Sequence, residues 1–541
     1  MPSFKLDDKD IAFEPGDTII RAAHRAGVDV PHYCWHPGLS VAANCRMCLV
    51  ELMPPPGRPA MMLDVLAWDD LHQTYIPQKK PKLQPACQQA AADGMVVKSQ
   101  TSEHAVRARS AVQELLLLNH PVDCPICDQA GECRLQDYWL EHQASKKRMR
   151  DEPIHKPKGV VFGPTIVYDA ERCIMCTRCI RVSAELAKDP VLDMRERGNL
   201  NEITVAPGRQ LDHAYTLMTE HVCPVGALTS SDFRFKARVW FLRSARSTCV
   251  GCATGCSSFT DFDPRNQKVY RYRPRENAAV NKYWMCDEGM LDYQRIHQNR
   301  VLEARIKGEG VSDAAALDKA ADLIKQASPQ KTAILLSAEH SNEDNTALLD
   351  LGKALGALQI YYTGRPQGQG DDILMSADKN PNTAGVLALS GGKAKPFVDL
   401  VAALKEGKVG ALLALGSAIG NPNDAAALKD AKNFVAISSH DGPIADHAAV
   451  VLPASSWAEA DGTFVNRTGL RQESDRAINP QGASRPAFRW VQELAKLLSL
   501  TLPWKKASEL RALSQVDPAG TPSAPPPPVP GARASNAPGA Q

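Results

Sequence analysis

No stretch of this sequence approaches the ~20 consecutive apolar residues of a bilayer-spanning helix; the longest candidates, Leu115–Leu118 and Val409–Leu415, are far too short. Nor is there an excess of one charge. The 63 basic and 61 acidic side chains leave a formal charge of +2, which gives no reason to expect nucleic acid as a partner. The run Lys146, Lys147, Arg148, Arg150 reads as a solvated helix end. The start, Met1-Pro2-Ser3-Phe4-Lys5 with Asp7, Asp8 and Asp10 close behind, lacks the basic-then-apolar layout of a secretory signal. A soluble or peripheral protein with no direct membrane span is expected. The dinucleotide fingerprint G-x-G-x-x-G is missing: Gly368-x-Gly370 runs straight into Asp371-Asp372. There is no P-loop, and Gly416-x3-Gly420 reads as a turn. The chain is therefore not expected to bind a nucleotide itself. Finally, the last 255 residues contain no cysteine.

All 15 cysteines lie between Cys34 and Cys286. A disulfide framework suits a small secreted domain, not a chain of this length, so metal ligation is the better reading. The first group is Cys34, Cys45, Cys48 and Cys87, spaced C-x10-C-x2-C-x38-C. Two close and two distant thiols suit a [2Fe–2S] cluster, in which each iron needs two. The small residues Ala42, Ala43 and Ala86 would let backbone amides approach the sulfurs. The second group is His120-x3-Cys124-x2-Cys127-x5-Cys133, with Pro121 and Pro125 stiffening the loop. A neutral imidazole in place of a thiolate makes such a cluster less negative and raises its potential. The fourth group, Cys249-x2-Cys252-x3-Cys256-x29-Cys286, suits [4Fe–4S]. Tetrahedral zinc is the alternative, strongest for this fourth group.

The third group is Cys173-x2-Cys176-x2-Cys179, with Cys223-Pro224 downstream. This is half of a bacterial two-cluster ferredoxin, in which the fourth cysteine of each motif ligates the other cluster. The ligands of the second half would fall at positions 183, 213, 216 and 219. Those are Ser183, His213, Thr216 and Thr219. One [4Fe–4S] cluster is expected on a pseudo-symmetric scaffold. The 15 cysteines plus His120 supply the 16 ligands that four clusters need, with none left for a disulfide or nucleophile.

The expected fold class is multi-domain α/β and α+β. Residues 1–100 read as a [2Fe–2S] ferredoxin-like domain, with a hairpin over Phe4–Phe13, a helix over Thr18–Ala26 stopped by Gly27, and a loop at Pro54, Pro55 and Pro56. Residues 101–159 carry a [4Fe–4S] segment with one histidine and three cysteines, behind a helix over 102–119, which Pro121 cannot continue. A ferredoxin-like [4Fe–4S] domain occupies 160–240, and the fourth group sits in 241–300. Over 301–505, helical patterns (Asp313–Ala327, Asn342–Leu355, Pro396–Lys405, Asp424–Ala431) alternate with short apolar runs (Ala333–Leu336, Ile360–Tyr362, Val409–Leu415, Phe434–Ile437, Ala449–Leu452). That alternation predicts an α/β domain with a mainly parallel sheet. Residues 506–541 read as a disordered Pro/Ala-rich tail, 518–541 most plainly.

The order and spacing of the four groups resemble the large iron–sulfur subunit, the G subunit, of bacterial NADH-quinone oxidoreductase (respiratory complex I). The likeness is strong over 1–300. It is weaker over 410–498, through Ala449-Val450-Val451-Leu452-Pro453 and Glu459-x2-Gly462-Thr463-Phe464-x-Asn466-x2-Gly469, which are similar to molybdopterin oxidoreductases. Thr468 and Leu470 stand where that family has Glu and Arg. The resemblance implies a β-grasp N-terminal domain, one [2Fe–2S] and three [4Fe–4S] clusters, and a degenerate C-terminal domain with no molybdopterin. It implies partner subunits of the peripheral arm: one binding FMN and NADH, and a quinone-proximal iron–sulfur subunit. It also implies a peripheral location on the cytoplasmic side of the bacterial inner membrane. Electrons would pass the first, third and second groups in that order, with the fourth off the path. The alternatives are an electron-transfer subunit of a soluble NAD-linked hydrogenase or formate dehydrogenase, or a zinc scaffold without redox function.

Overall fold

A computed structural model describes residues 1–142 and 148–516. The chain divides between Val239 and Trp240 into two compact units.

In the first unit, five strands form one sheet in the order Lys9–Ala12, Ser3–Leu6, Val96–Lys98, Leu49–Met53, Gln84–Pro85. Along Ser3–Leu6, Phe4 and Leu6 point inward and Lys5 outward, the period-2 pattern of a strand with one buried face. Helix Ile19–Arg25 packs Ile19, Ile20, Ala22 and Ala23 into the same core, together with Trp35, Val50 and Val97. The helix stops at Gly27, whose φ of +72° suits a residue without Cβ. Helix Glu103–Leu117 is capped by Ser102, whose Oγ accepts from the Ala105 amide at 3.2 Å. Its fully buried Arg109 donates to the carbonyls of Met47 and Leu49, on either side of Cys48. The helix thereby braces the first cysteine group. Ile166–Tyr168 pairs with Leu228–Ser230 and Val160–Val161 to carry the third group.

The expected loop at Pro54, Pro55 and Pro56 is present, and an unanticipated antiparallel hairpin follows it, Met62–Asp69 with Thr74–Pro81. It stands as its own two-stranded sheet and exposes apolar side chains, Leu66 at 69 % and Leu71 at 84 %. Pro77 and Pro81 in the second strand hid it from the pattern, since proline demotes a strand reading.

The second unit opens with a three-stranded meander, Arg243–Thr248, Ser257–Asp263 and Lys268–Pro274. Its polar composition does not leave it loose. Asp261 is buried between Arg271 (2.8 Å) and Arg273 (2.6 Å). The same unit contains an eight-stranded sheet: Glu309–Val311, Ala304–Ile306, Val450–Pro453, Asn433–Ser438, Ala411–Leu415, Thr332–Ser337, Gln359–Thr363, Lys395–Pro396. The last six run parallel. Counted along the chain their order is 3-2-1-4-5-6 across the sheet, the doubly wound arrangement, with its switch point between Thr332–Ser337 and Ala411–Leu415. Helices Asp313–Lys325, Asn342–Ala354 and Phe397–Lys405 cover it.

The expected tail needs correcting at its start. Ala507–Leu513 is a helix, and its Leu510 joins Trp490 and Trp504 in the core. Arg511 pairs with Glu343 at 3.2 Å. Leu510 is the buried residue of this helix, so a single apolar side chain anchors it. Residues 517–541, and Lys146 and Lys147 of the basic run, lie outside the described residues.

Candidate metal centres

All 15 cysteines are free thiols. In the first group they come in two couples. Cys45 hydrogen-bonds Cys34 and Cys48 hydrogen-bonds Cys87, so the accepting thiols Cys34, pulled to about 5, and Cys87 fall while Cys45 and Cys48 rise. Two donors beside two donors is what a binuclear cluster requires. Ala43 and Arg46 take left-handed backbone (φ 50° and 60°) to fold the loop between them.

In the second group, Cys124 opens a short 3-10 turn with Pro125 at its first positions. His120 is held neutral at pH 7, its pKa lowered by burial to about 4, and its buried Nδ1 has no hydrogen-bond partner. A neutral imidazole with an unspent nitrogen is a metal donor in waiting. Burial raises the Cys127 thiol and pushes Cys133 to about 12. Gly226 lies against this site: a Cβ there would stand 2.4 Å from the Cys127 sulfur.

In the third group, Met175 and Thr177 are left-handed (φ 53° and 61°), so the chain winds between Cys173, Cys176 and Cys179. The Met175 amide donates to the Cys173 sulfur at 3.4 Å. Burial pushes Cys173 to about 11 and raises Cys176, Cys179 and Cys223. The other half of the scaffold is filled by hydroxyls. Ser183 Oγ donates to the Asp189 carbonyl, Thr219 Oγ1 donates to the Thr216 carbonyl at 2.6 Å, and the hydroxyls of Thr165 and Thr216 bond each other. His213 accepts from the Tyr215 amide at 3.1 Å.

In the fourth group, Cys249, Cys252, Cys256 and Cys286 line one cavity, closed by Leu374, Met375 and Lys379. The Gly251 amide donates to the Cys249 sulfur (3.4 Å) and the Gly289 amide to the Cys286 sulfur (3.3 Å). A Cβ on Gly289 would come within 3.1 Å of the Cys249 sulfur. Burial raises Cys249 and Cys256 and takes Cys286 to about 12. Such thiols keep their protons at neutral pH and become thiolates only when metal charge replaces them. Among the described residues, no three His, Cys, Asp or Glu side chains close on a single point. Donor type, donor number, the N–H···S bonds and the glycine contacts all fit clusters held by these four sets.

The three sites of the first unit interlock. Between the first and third, Asn44 donates to the Met175 carbonyl (3.2 Å), the Ser40 amide donates to Glu185 (2.9 Å), and Arg181 spans both loops. Between the third and second, the Arg134 amide donates to the Pro224 carbonyl (3.0 Å), and Arg172 grips Asp123 at 2.6 and 3.1 Å. Each of these residues lies close in sequence to a ligand candidate. Between the first and second, the Tyr33 and Tyr138 rings meet edge to face at 5.4 Å. Sequence reasoning missed Arg172, Arg178, Arg181 and Gly226. The signal was their position one or two residues from a cysteine, or three after Cys223.

Four family models match the chain. They describe a 2Fe-2S iron-sulfur cluster binding domain at residues 2–102, an NADH-ubiquinone oxidoreductase-G iron-sulfur binding region at 109–148, the ferredoxin-like domain of NADH-quinone oxidoreductase subunit 3 at 163–229, and molybdopterin oxidoreductase at 313–497. The G subunit of NADH-quinone oxidoreductase from Streptomyces coelicolor is 34 % identical over 66 % of this chain and 40 % of its own. The chain belongs to the family of NADH-quinone oxidoreductase G subunits. NADH-quinone oxidoreductase subunit 3 of Thermus thermophilus is 32 % identical over 68 % of this chain and 48 % of its own. A mitochondrial relative from Solanum tuberosum, NADH dehydrogenase [ubiquinone] iron-sulfur protein 1, is 33 % identical over 70 % and 48 %. The chain thus spans about half the length, or less, of the curated relatives it matches. A solved NAD+-reducing [NiFe]-hydrogenase in the H2-reduced state is 29 % identical over 44 % of this chain and 91 % of that chain, at a TM-score of 0.35. The fold is that of the family: an N-terminal 2Fe-2S domain, 4Fe-4S ferredoxin-like regions and a C-terminal molybdopterin-oxidoreductase-type domain.

Proposed function

We propose that this chain relays electrons within an NADH:quinone oxidoreductase. It takes them from a partner that oxidises NADH at FMN and passes them toward a partner near the quinone. The observation that carries this is the direct hydrogen bonding between ligand loops: first to third through Asn44 and Arg181, third to second through Arg134 and Arg172. Tunnelling falls steeply with distance, so loops joined at the residues beside their ligands make short steps.

The ligands in this reading are Cys34, Cys45, Cys48 and Cys87 for [2Fe–2S]. His120, Cys124, Cys127 and Cys133, then Cys173, Cys176, Cys179 and Cys223, then Cys249, Cys252, Cys256 and Cys286, hold three [4Fe–4S] clusters. Bound, each cluster accepts and returns one electron. The protein residues fix spacing, exclude water and set local charge. His120 replaces an anionic thiolate and so favours reduction of its cluster.

The fourth site serves structure. Its loop is fastened on several sides: Arg365 to the carbonyls of Val250 and Gly251, Thr254 to Leu374, Gln472 to Gly255. The C-terminal domain holds no molybdopterin in this reading. The cavity at the switch point of its sheet is lined by Glu339, Asp344, Asp461, His340, His440 and seryl hydroxyls, and the nearest guanidiniums, Arg295 and Arg365, face Glu339 at 3.8 and 3.5 Å. Among the described residues, no helix is long and apolar enough to cross a membrane. In this reading the chain is a peripheral subunit on the cytoplasmic face of the inner membrane.

Metal and acid-labile sulfide analysis of anaerobically purified protein tests the proposal. One binuclear and three tetranuclear clusters give about fourteen irons per chain. Stoichiometric zinc with little iron or sulfide would overturn it.

A further inference from the structure

Two arginines near Cys179 reach back between the first and third sites. Arg178 is buried. Its Nη1 donates to the Val222 carbonyl at 3.1 Å, its Nη2 donates to the Trp35 carbonyl, and its Nε is buried without a partner. Val222 precedes the third-group Cys223, and Trp35 follows the first-group Cys34. Arg181 goes further. A single nitrogen, Nη2, donates both to the Cys34 carbonyl (2.5 Å) and to the Cys176 carbonyl (3.2 Å), and its Nη1 donates to the Ser40 carbonyl. One guanidinium nitrogen is therefore the link between a ligand residue of one site and a ligand residue of the next.

The acceptors of both arginines are neutral carbonyls, and among the described residues neither arginine pairs with a carboxylate. Glu185, close by on the same turn, is spent on the Ser40 amide and hydroxyl. A buried cation without a counter-charge, as Arg178 is, is costly. Arg178 lies within electrostatic reach of the Cys176 and Cys45 thiols, one from each site, and of two further cations, Arg134 and Arg181. Thiolate-bound clusters would supply that missing negative charge on both sides.

Resting on the relay reading, we propose that Arg178 and Arg181 are positioning residues for electron transfer between the first and third clusters. They take the two clusters as counter-charges, hold the ligand loops at fixed spacing, and favour the reduced state of both. A reduced cluster is more negative by one charge, so a fixed cation beside it raises its potential. Neither arginine hydrogen-bonds a residue of the second group, so that cluster feels them less.

The test is an EPR-monitored redox titration of the full chain, comparing the parent with Arg181→Gln, Arg178→Gln and Arg181→Lys. Each Gln variant is expected to shift the reduction equilibrium of the binuclear signal and of one tetranuclear signal about tenfold toward oxidised, which is 59 mV for one electron. The His120-associated signal should stay in place. Arg181→Lys keeps the charge and should restore most of the shift. Unmoved potentials in Gln variants with intact clusters would overturn the proposal. So would an equal fall in Arg181→Lys, or loss of both clusters in all three variants, which would mark a clamp with no electrostatic role. A parent protein without these signals would instead sink the relay reading itself.

Discussion

Gly226 offers a sharp perturbation, because one methyl group there meets one ligand sulfur. The residue follows Cys223-Pro224-Val225 of the third group, yet its missing side chain faces the second. A Cβ at 226 would lie 2.4 Å from the Cys127 sulfur and 3.1 Å from the Gln129 Cβ. Non-bonded heavy atoms settle at about 3.5–4.0 Å, so the sulfur or the loop must retreat by more than about 1 Å. Metal–ligand lengths are held to about 0.2 Å. A thiolate displaced that far leaves its iron. Gly226→Ala should therefore strip the second cluster, or cost it the iron that Cys127 would bind, while the first and third remain. Overpacking a buried position also costs about 1–3 kcal/mol of stability. The assay is iron content with EPR of the reduced, anaerobic protein, with Gly420→Ala as an exposed comparison whose Cβ meets nothing and whose backbone is not left-handed. A drop from about fourteen irons to about ten, or to about thirteen if one iron departs, fits this geometry. Parental iron and an unchanged second-cluster spectrum in Gly226→Ala would refute it.

Other outcomes follow from the same structure. His120→Cys should keep a tetranuclear cluster at a lower potential and His120→Ala should lose it or leave it labile; an identical titration in both would return His120 to a structural role. Although burial raises it, the Asp261 carboxyl is held well below the carboxylate range by Arg273 and Arg271, so its stabilisation is complete above the unfolded pKa of about 3.9 and is lost as pH falls below that. Asp261→Asn should cost about 3–5 kcal/mol near neutral pH, and denaturant midpoints should show the gap between parent and variant closing in acid; a gap as wide at pH 3 as at pH 7 contradicts the pairing. Cys286→Ala should remove one tetranuclear signal and weaken assembly, leaving NADH-to-quinone turnover per assembled complex near normal; a large fall in that normalised rate would put the fourth cluster on the path.

Much of this was legible in the sequence because cysteine and periodicity are loud signals. The alternation over 313–452 located five central strands, from Thr332–Ser337 to Val450–Pro453, within a residue or two at most ends. Spacing alone grouped the cysteines that the fold brings together in the first site and around the cavity of the fourth. What stayed hidden is what depends on contacts between segments distant along the chain. Arg181 reads as an ordinary helical arginine until Cys34 arrives from 147 residues away. Leu510 looked like part of a tail because its partners Trp490 and Trp504 are recognised as a core only in three dimensions. The hairpin at 62–81 was masked by its own prolines, and its apolar faces are uncovered in the single chain.

The half-scaffold filled by Ser183, Thr216 and Thr219 has a consequence for wiring. A two-cluster ferredoxin is a junction: a charge arriving at one cube can step to its twin or leave by the surface. Here the twin's volume is occupied by hydroxyls whose hydrogen bonds are already made among themselves and to nearby carbonyls. Those hydroxyls are spent, and none of them is left to hold metal. On the proposed relay the middle station has an entrance and an exit but no siding, so every electron that reaches it has one onward route.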